Sequence, residues 1–373
     1  MKATMEKTVL VDALSRIQSI CGRKTNNVIT TSVLMTAESD YVRIVATDYE
    51  TGFRGIYPAH VEKGGVIAVN GKKLFEIVKE LPASHVNIEE VENYWILVTE
   101  GNILYHLVGM NPLEFPSMAH LEETEPAFRV AAPILKKALE NALTIPVGEE
   151  KKPHTTGIFI EIVAQGEEQP LLRLLSTDIN RLVKVDIPCE IIQPELFSKG
   201  VIASKKGLAD VVRILAEDSM VDVGIRENRI LFRQKEESIS VGLMEGIFPP
   251  FMTYVQKMGR QAVQIGKETF LSIMRRMSIL VSEQFKGVVI SLSDHQMTVT
   301  STNPELGESR EETSIDYEGE SVQIAINPRY VIDALSMITG SEVMFRFGEG
   351  REPCIIEEKD NTTIQNIIMP MRI

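Results

Sequence analysis

Apolar residues recur at i, i+4, i+7 and i+11 in three places along the chain, about 130 residues apart. Leu10, Leu14, Ile17 and Cys21 form the first stripe, Leu135, Leu139, Ala142 and Pro146 the second, and Phe270, Met274, Met277 and Val281 the third. That spacing is one buried face of an α-helix. A second helix-like segment follows each stripe, so the pattern predicts helices over 7–24 and 71–81, 133–145 and 204–216, and 267–282 and 328–339. Between them lie alternating or continuous apolar runs at 42–46, 66–70, 94–99, 157–163, 171–175, 221–225, 229–233, 288–292, 297–300, 343–347 and 354–357. Bounded by Gly, Asn and Asp, these read as strands. Gly101-Asn102, Glu227-Asn228 and Asp360-Asn361 read as hairpin turns.

Two further landmarks share the period. Thr47-Asp48, Thr177-Asp178 and Thr302-Asn303 each follow a strand-like run, and Phe115-Pro116, Phe248-Pro249 and Met369-Pro370 close each third. A unit this long is not a solenoid repeat but a domain with its own core. The expected organisation is α+β in three repeated domains, 1–126, 127–255 and 256–373, each with two helices packed on antiparallel sheets.

Composition narrows the class. Apolar content of 44% and charged content of 24% over 373 residues are ordinary for a globular protein. No run of 18 apolar residues predicts a membrane span. The first residues lack an apolar leader segment, so no secretion signal is expected. Cys21, Cys189 and Cys354 are few and far apart, which fits a reducing, cytoplasmic setting and neither a disulfide framework nor a zinc site.

The net charge of −13 argues at first against a nucleic-acid partner. Its distribution reverses that reading. The six helix windows hold 16 Lys or Arg against 7 Asp or Glu, whereas the rest of the chain holds 23 against 45. Glu forms helices as readily as Lys, yet only four Glu fall in these windows. On a helical wheel, Arg16 and Arg23 lie opposite the first stripe, Lys136 and Lys137 lie off the second, and Arg275 and Arg276 flank the direction opposite the third. Lys72, Lys73, Lys205, Lys206, Arg213 and Arg329 extend the pattern to the second helices. Cations without base-reading partners bind phosphate regardless of sequence. A duplex held this way remains free to slide.

Catalytic motifs are missing: there is no P-loop, zinc-protease, nucleophile-elbow or Cys-x-x-Cys pattern, and six scattered histidines show no ligand spacing. No cofactor or metal is expected. Asp48 and Asp178 leave a metal-dependent nuclease as a rival reading. Recurrence of Thr-Asp at matching repeat positions favours a structural turn instead.

Several segments together resemble the bacterial DNA polymerase III beta subunit, the sliding-clamp family, over the whole chain. They are Ala46-Thr47-Asp48, the run from Ser176 to Leu182, Phe248-Pro249, Asn327-Pro328-Arg329-Tyr330-Val331, and above all Met369-Pro370-Met371-Arg372-Ile373. The resemblance implies three DNA-clamp domains per chain and a head-to-tail homodimeric ring around duplex DNA. Its joint would bring Ile279 and Leu280 against Tyr105 and Leu107; Ile279 falls on the polar side of its predicted helix, where a core role does not explain it.

The resemblance also implies a pocket that takes short peptides from the replicative polymerase, the clamp loader and repair proteins. Carried over by position, it comprises Thr155, Thr177, Ile179, Asn180, Arg181, Leu182, Pro249, Tyr330, Pro353, Ile367, Ile368, Met369, Pro370, Met371, Arg372 and Ile373. Methionines and aliphatics suit a cleft with several ligands. DNA contacts would come from Arg23, Lys72, Lys73, Lys136, Lys137, Lys205, Lys206, Arg275 and Arg276, with Lys151 and Lys152 standing in a loop where the family often has aromatics. Asn180 stands where the family often has His, and Thr253 where it often has Arg. A peptide-binding scaffold that never touches DNA is the third reading, opposed by the cationic helix faces.

Overall fold

The structure is a computed structural model describing every residue except 24, 83, 119–124, 148–151, 166–167, 217, 253–260, 283–286, 349–351 and 372–373. Six helices stand where the periodicity puts them. They are α1 (Lys7–Cys21), α2 (Gly71–Glu80), α3 (Ala132–Leu143), α4 (Lys205–Ile214), α5 (Lys267–Met277) and α6 (Pro328–Met337). The stripes are their buried faces: Leu10, Leu14, Ile17 and Cys21, then Leu135, Leu139 and Ala142, then Phe270, Met274 and Met277 are all buried. Two stripe ends differ. Pro146 is exposed beyond the end of α3, as a residue without an amide proton would be, and Val281 follows a 3₁₀ turn, Ser278–Leu280, rather than a continued helix.

The second helix of each repeat begins alike. Asn70 Oδ1 accepts from Lys73 N–H at 2.9 Å, Ser204 Oγ from Gly207 N–H at 3.0 Å, and Asn327 Oδ1 from Arg329 N–H at 3.0 Å. Each satisfies an amide the first turn leaves unpaired.

The chain forms two compact units, Met1–Lys137 with Pro188–Met244 and Ala138–Ile187 with Glu245–Ile373. The middle third of the sequence therefore divides between them. In the first unit a nine-stranded antiparallel sheet runs Glu190–Ile191, Phe128–Ala131, Met220–Arg226, Arg229–Gln234, Glu237–Gly242, Thr51–Pro58, Tyr41–Thr47, Ser32–Glu38 and Gly65–Asn70. Pairing of Ile239 with Phe53 joins the first and middle thirds edge to edge. A five-stranded sheet ends on Trp95–Glu100 and the edge strand Ile103–Val108. Helix α1 packs on α2 and α4.

The second unit repeats the device. Its strands run Gly157–Gln165, Glu168–Thr177, Arg181–Pro188, Asn361–Ile368, Cys354–Glu358, Glu342–Phe347 and Gln261–Gly266, and Leu182 pairs with Ile367 where the middle and last thirds meet. A four-stranded sheet, Gly307–Ser314, Gln296–Asn303, Val288–Ser293 and Val322–Ile326, lies beside it in the chain's last third. Phe270, Met274, Val331, Leu335, Phe345 and Ile356 fill the core under α5 and α6. Among the described residues no helix is long and apolar enough to cross a membrane.

Candidate peptide pocket and cationic faces

The repeated Thr-Asp pairs build one turn twice. Asp178 Oδ1 accepts from the Asn180 and Arg181 amides, both at 3.1 Å. Thr177 Oγ1 accepts from Ile179 N–H at 3.0 Å and donates to the Arg181 carbonyl at 2.7 Å. In the first unit Asp48 Oδ1 accepts from Glu50 and Thr51 at 3.1 and 2.6 Å, and Thr47 Oγ1 contacts Tyr49 N–H and the Thr51 carbonyl at 3.0 and 2.9 Å. The third residue of each turn is left-handed, Tyr49 at φ 72° and Ile179 at φ 81°. Asn303 Oδ1 accepts from Glu305 N–H at 3.0 Å in the third repeat. In both Asp turns Oδ1 binds the local backbone while Oδ2 faces a cation, Arg181 for Asp178 and Arg23 for Asp48, and among the described residues no cluster of His, Cys, Asp or Glu could hold a metal.

Around the second of these turns, side chains of the second unit gather. Ile179 is 48% exposed at its tip. The terminal strand follows, with Met369 N–H donating to the Asn180 carbonyl at 2.8 Å and Met371 N–H to Ala325 at 2.7 Å. Met369 and Met371 stay exposed; Met371 Sδ lies over Gly287, where a Cβ would approach it to 3.2 Å. Beneath lies an apolar cluster of Leu175, Leu182, Ile355 and Ile367, packed by Phe159, Phe248, Phe251 and Met252. Phe159 and Phe248 stack at 4.9 Å, and Phe251 meets Phe248 edge-on at 5.7 Å.

One cation anchors the wall. Arg181 is buried, 3.0 Å from Asp178 and 2.6 Å from Asp333 on α6, with its guanidinium carbon 4.3 Å from the centre of the Tyr330 ring. Such a charge is stable only with partners on each side. Burial, reinforced by the Asp178 carboxylate, raises the Tyr330 phenol above its ordinary pKa, so the ring presents a neutral hydroxyl.

The pocket residues expected from sequence thus separate by depth. Ile179, Asn180, Tyr330, Pro249, Met369, Pro370 and Met371 reach the surface wholly or in part. Leu182, Pro353 and Ile367 are buried beneath. Thr155, Thr177 and Ile368 are buried as well, the two hydroxyls bonded to local backbone and Ile368 packed in the main core. Arg372 and Ile373 lie outside the described residues, as do Thr253 and Lys151. Sequence reasoning missed Asp333 and the aromatics Phe159, Phe248 and Phe251 as pocket-forming. A signal for Asp333 existed: six residues after the helix caps stand Glu76, Asp210 and Asp333, and two after them Lys72, Lys206 and Arg329.

The cationic faces are less uniform than a helical wheel suggests. Lys72, Lys73, Lys137, Lys152, Arg275 and Arg276 are exposed and Lys136 half-exposed. Lys205 is only 4% exposed, which corrects its expected place at the surface. It is the first residue of α4, enclosed at the junction with the strand Val201–Ser204. Arg23 also differs. Helix α1 ends at Cys21, so wheel phase no longer applies to Arg23. Its guanidinium lies 2.8 Å from Asp48 and 2.6 Å from Asp210. Lys206 joins the group at 3.3 Å from Asp48 and 3.0 Å from Glu50. Burial opposes ionisation of Asp48, but the Thr51 amide, Arg23 and Lys206 together hold its pKa below the ordinary value. Lys73 pairs with Glu76 at 2.7 Å and Arg276 with Glu311 at 2.8 Å. A phosphate at these cations must compete with the chain's own carboxylates.

The expected joint residues are also placed. Ile279 is 74% exposed on the 3₁₀ turn after α5, with Leu280 beside it half-buried. Tyr105 is exposed and Leu107 half-buried on the edge strand Ile103–Val108, where Leu104 and Val108 are exposed as well.

Comparison with known proteins matches three consecutive domain models. Residues 1–119 match the DNA polymerase III beta subunit N-terminal domain, 130–250 its central domain and 257–372 its C-terminal domain. The beta sliding clamp of Bacillus subtilis is 26% identical over 389 residues, and that of Caulobacter vibrioides 24% over 376, each covering all of both chains. The crystal structure of the Bacillus subtilis sliding clamp superposes with a TM-score of 0.92 over all of this chain and 99% of that one, at 26% identity. A Pseudomonas aeruginosa sliding clamp, bound there to griselimycin, superposes at 0.90 and 24% identity, covering all of both chains.

Proposed function

The chain belongs to the DNA polymerase III beta subunit family, and from that premise we propose that it is a DNA sliding clamp, a replication processivity factor. Three clamp domains, 1–126, 127–255 and 256–373, pair head to tail with a second copy into a closed homodimeric ring. The ring encircles duplex DNA in the cytoplasm, without sequence preference, and catalyses nothing. It tethers the replicative polymerase, the clamp loader and repair proteins by their short peptide segments. The observation that carries this reading is the unbroken succession of N-terminal, central and C-terminal family matches along one chain.

Each part of the site has a physical task. Exposed Lys72, Lys137, Arg275 and their neighbours attract phosphate within a Debye length of roughly 8–10 Å. The acidic remainder repels a duplex elsewhere. Encirclement converts weak, mobile attraction into retention, because escape requires opening the ring. Exposed Ile279 and the apolar edge strand with Tyr105 supply a heterologous contact, whose repetition closes when its rotation allows. Ile179, Met369 and Met371 take the apolar anchors of partner peptides, while Arg181, held by Asp178 and Asp333, fixes the wall.

Removal of residues 369–373 tests the tether. A loaded wild-type ring lengthens the products of a replicative polymerase on a primed circular template. The truncated chain is expected to stay dimeric yet, engaging neither loader nor polymerase, to give products as short as those without it. Full-length products from the truncated chain would contradict the pocket assignment.

A further inference from the structure

The first unit carries a second groove, of different chemistry. A cavity of about 780 Å³ opens on the nine-stranded sheet. Its floor is one row of paired residues, Leu34 beside Val45 and Val45 beside Arg54. Its wall is the stretch Phe115 to Met118, in which Phe115 and Met118 pack with Val45 and Leu34. Phe115-Pro116 is the same repeat landmark as Phe248-Pro249, whose phenylalanine packs on the apolar cluster of the second unit. There aromatics dominate. Here three arginines, Arg43, Arg54 and Arg226, stand around the apolar floor.

That clustering runs against the rest of the chain, where acids outnumber bases outside the helices about two to one. Arg43 Nε is buried with no hydrogen-bond partner among the described residues, and its NH2 lies 3.5 Å from Glu38, beyond ordinary hydrogen-bond length. Arg54 has an intrachain contact, which an incoming carboxylate would share. A buried guanidinium donor left unmatched favours a carboxylate ligand, which guanidinium forks bind bidentately.

We propose that this groove is a second docking site, for an extended acidic peptide that alternates carboxylates with aliphatic anchors. Carboxylates meet the three arginines, and the anchors cover Val45 and Met118. Single-stranded nucleic acid suits the site less well, because it needs an aromatic face for stacking and Phe115 is only 8% exposed. The site shares no residue with the methionine-lined pocket or with Tyr105, Leu107, Ile279 and Leu280.

Fluorescence anisotropy of a labelled octapeptide of alternating Glu and Leu, titrated with the full chain, tests this. Saturable binding is expected. It should weaken at least tenfold, about one decade in Kd, in the double variant Arg43→Gln with Arg226→Gln, and remain unchanged in Met369→Ala. A Gln-Leu counterpart of the peptide should bind at least tenfold more weakly, on the same scale. Met118→Glu, at a half-exposed position, gives a second loss-of-binding variant should the arginine pair prove unstable. No binding to the wild-type chain overturns the proposal. So does undiminished binding to natively folded variants, or tighter binding of an oligo-dT of matched length.

Discussion

At the scale of single residues, the Thr-Asp turns were legible because every bond in them is local. Thr47 to Thr51 and Thr177 to Arg181 span four positions each, so recurrence of the pair sufficed to place them. Arg23 was not legible, since its partner Asp210 lies 187 positions away and nothing local announces it. The same holds for Arg181 and Asp333. The Asp48 cluster has a pH signature. Its folded-state pKa is lowered from 3.8, so its stabilisation is present above that unfolded value and is lost as pH falls through the lower, folded value. Asp48→Asn should therefore lower the melting temperature at neutral pH and flatten its fall below about pH 4. Parallel acid limbs for variant and wild type would show that the charge contributes nothing.

At the scale of elements, the six long helices were readable, because amphipathic spacing marks them wherever they lie, whereas the single turn Pro153–Thr156 was not. Strands without an apolar face were not. Gly307–Ser314, with sequence GESREETS, is an edge strand of exposed and half-exposed residues and carries no alternating signal. Charge on helices was only partly readable. Two lysines within the predicted helix windows cap neighbouring helices. Lys267 Nζ donates to the Ile338 carbonyl at the end of α6 at 2.7 Å, and Lys7 Nζ to the Leu81 carbonyl at the end of α2. Each places a cation at a helix C-terminus, where the dipole favours it. Lys267→Met should cost about 1–2 kcal/mol in denaturant melts and leave the salt dependence of DNA binding unchanged. A reduced salt slope with unaltered stability would instead place Lys267 among the phosphate-binding residues. The 3₁₀ turn after α5 makes a separate prediction. Ile279→Asp should leave melting within about 2 °C, as befits an exposed position. It should reduce the light-scattering mass from twice 41.7 kDa to 41.7 kDa. A dimer that survives the substitution places the joint elsewhere.

At the scale of the whole molecule, the threefold repeat was visible in sequence, but the way its sheets merge was not. Edge pairing of Glu237–Gly242 with Thr51–Pro58, and of Arg181–Pro188 with Asn361–Ile368, divides the middle third between two compact units. Pairing across such distances leaves no periodic trace in the chain. A ring that relies on topology rather than tight contacts needs only weak attraction for DNA, which a net charge of −13 with cations gathered on helices provides. The decisive measurement is the lifetime of the loaded protein on a nicked circular plasmid before and after a restriction enzyme cuts the circle once. Encirclement requires long retention on the circle at moderate salt and prompt loss from the linear product. Equal lifetimes on both forms would mean that the protein holds DNA by surface contact and does not surround it.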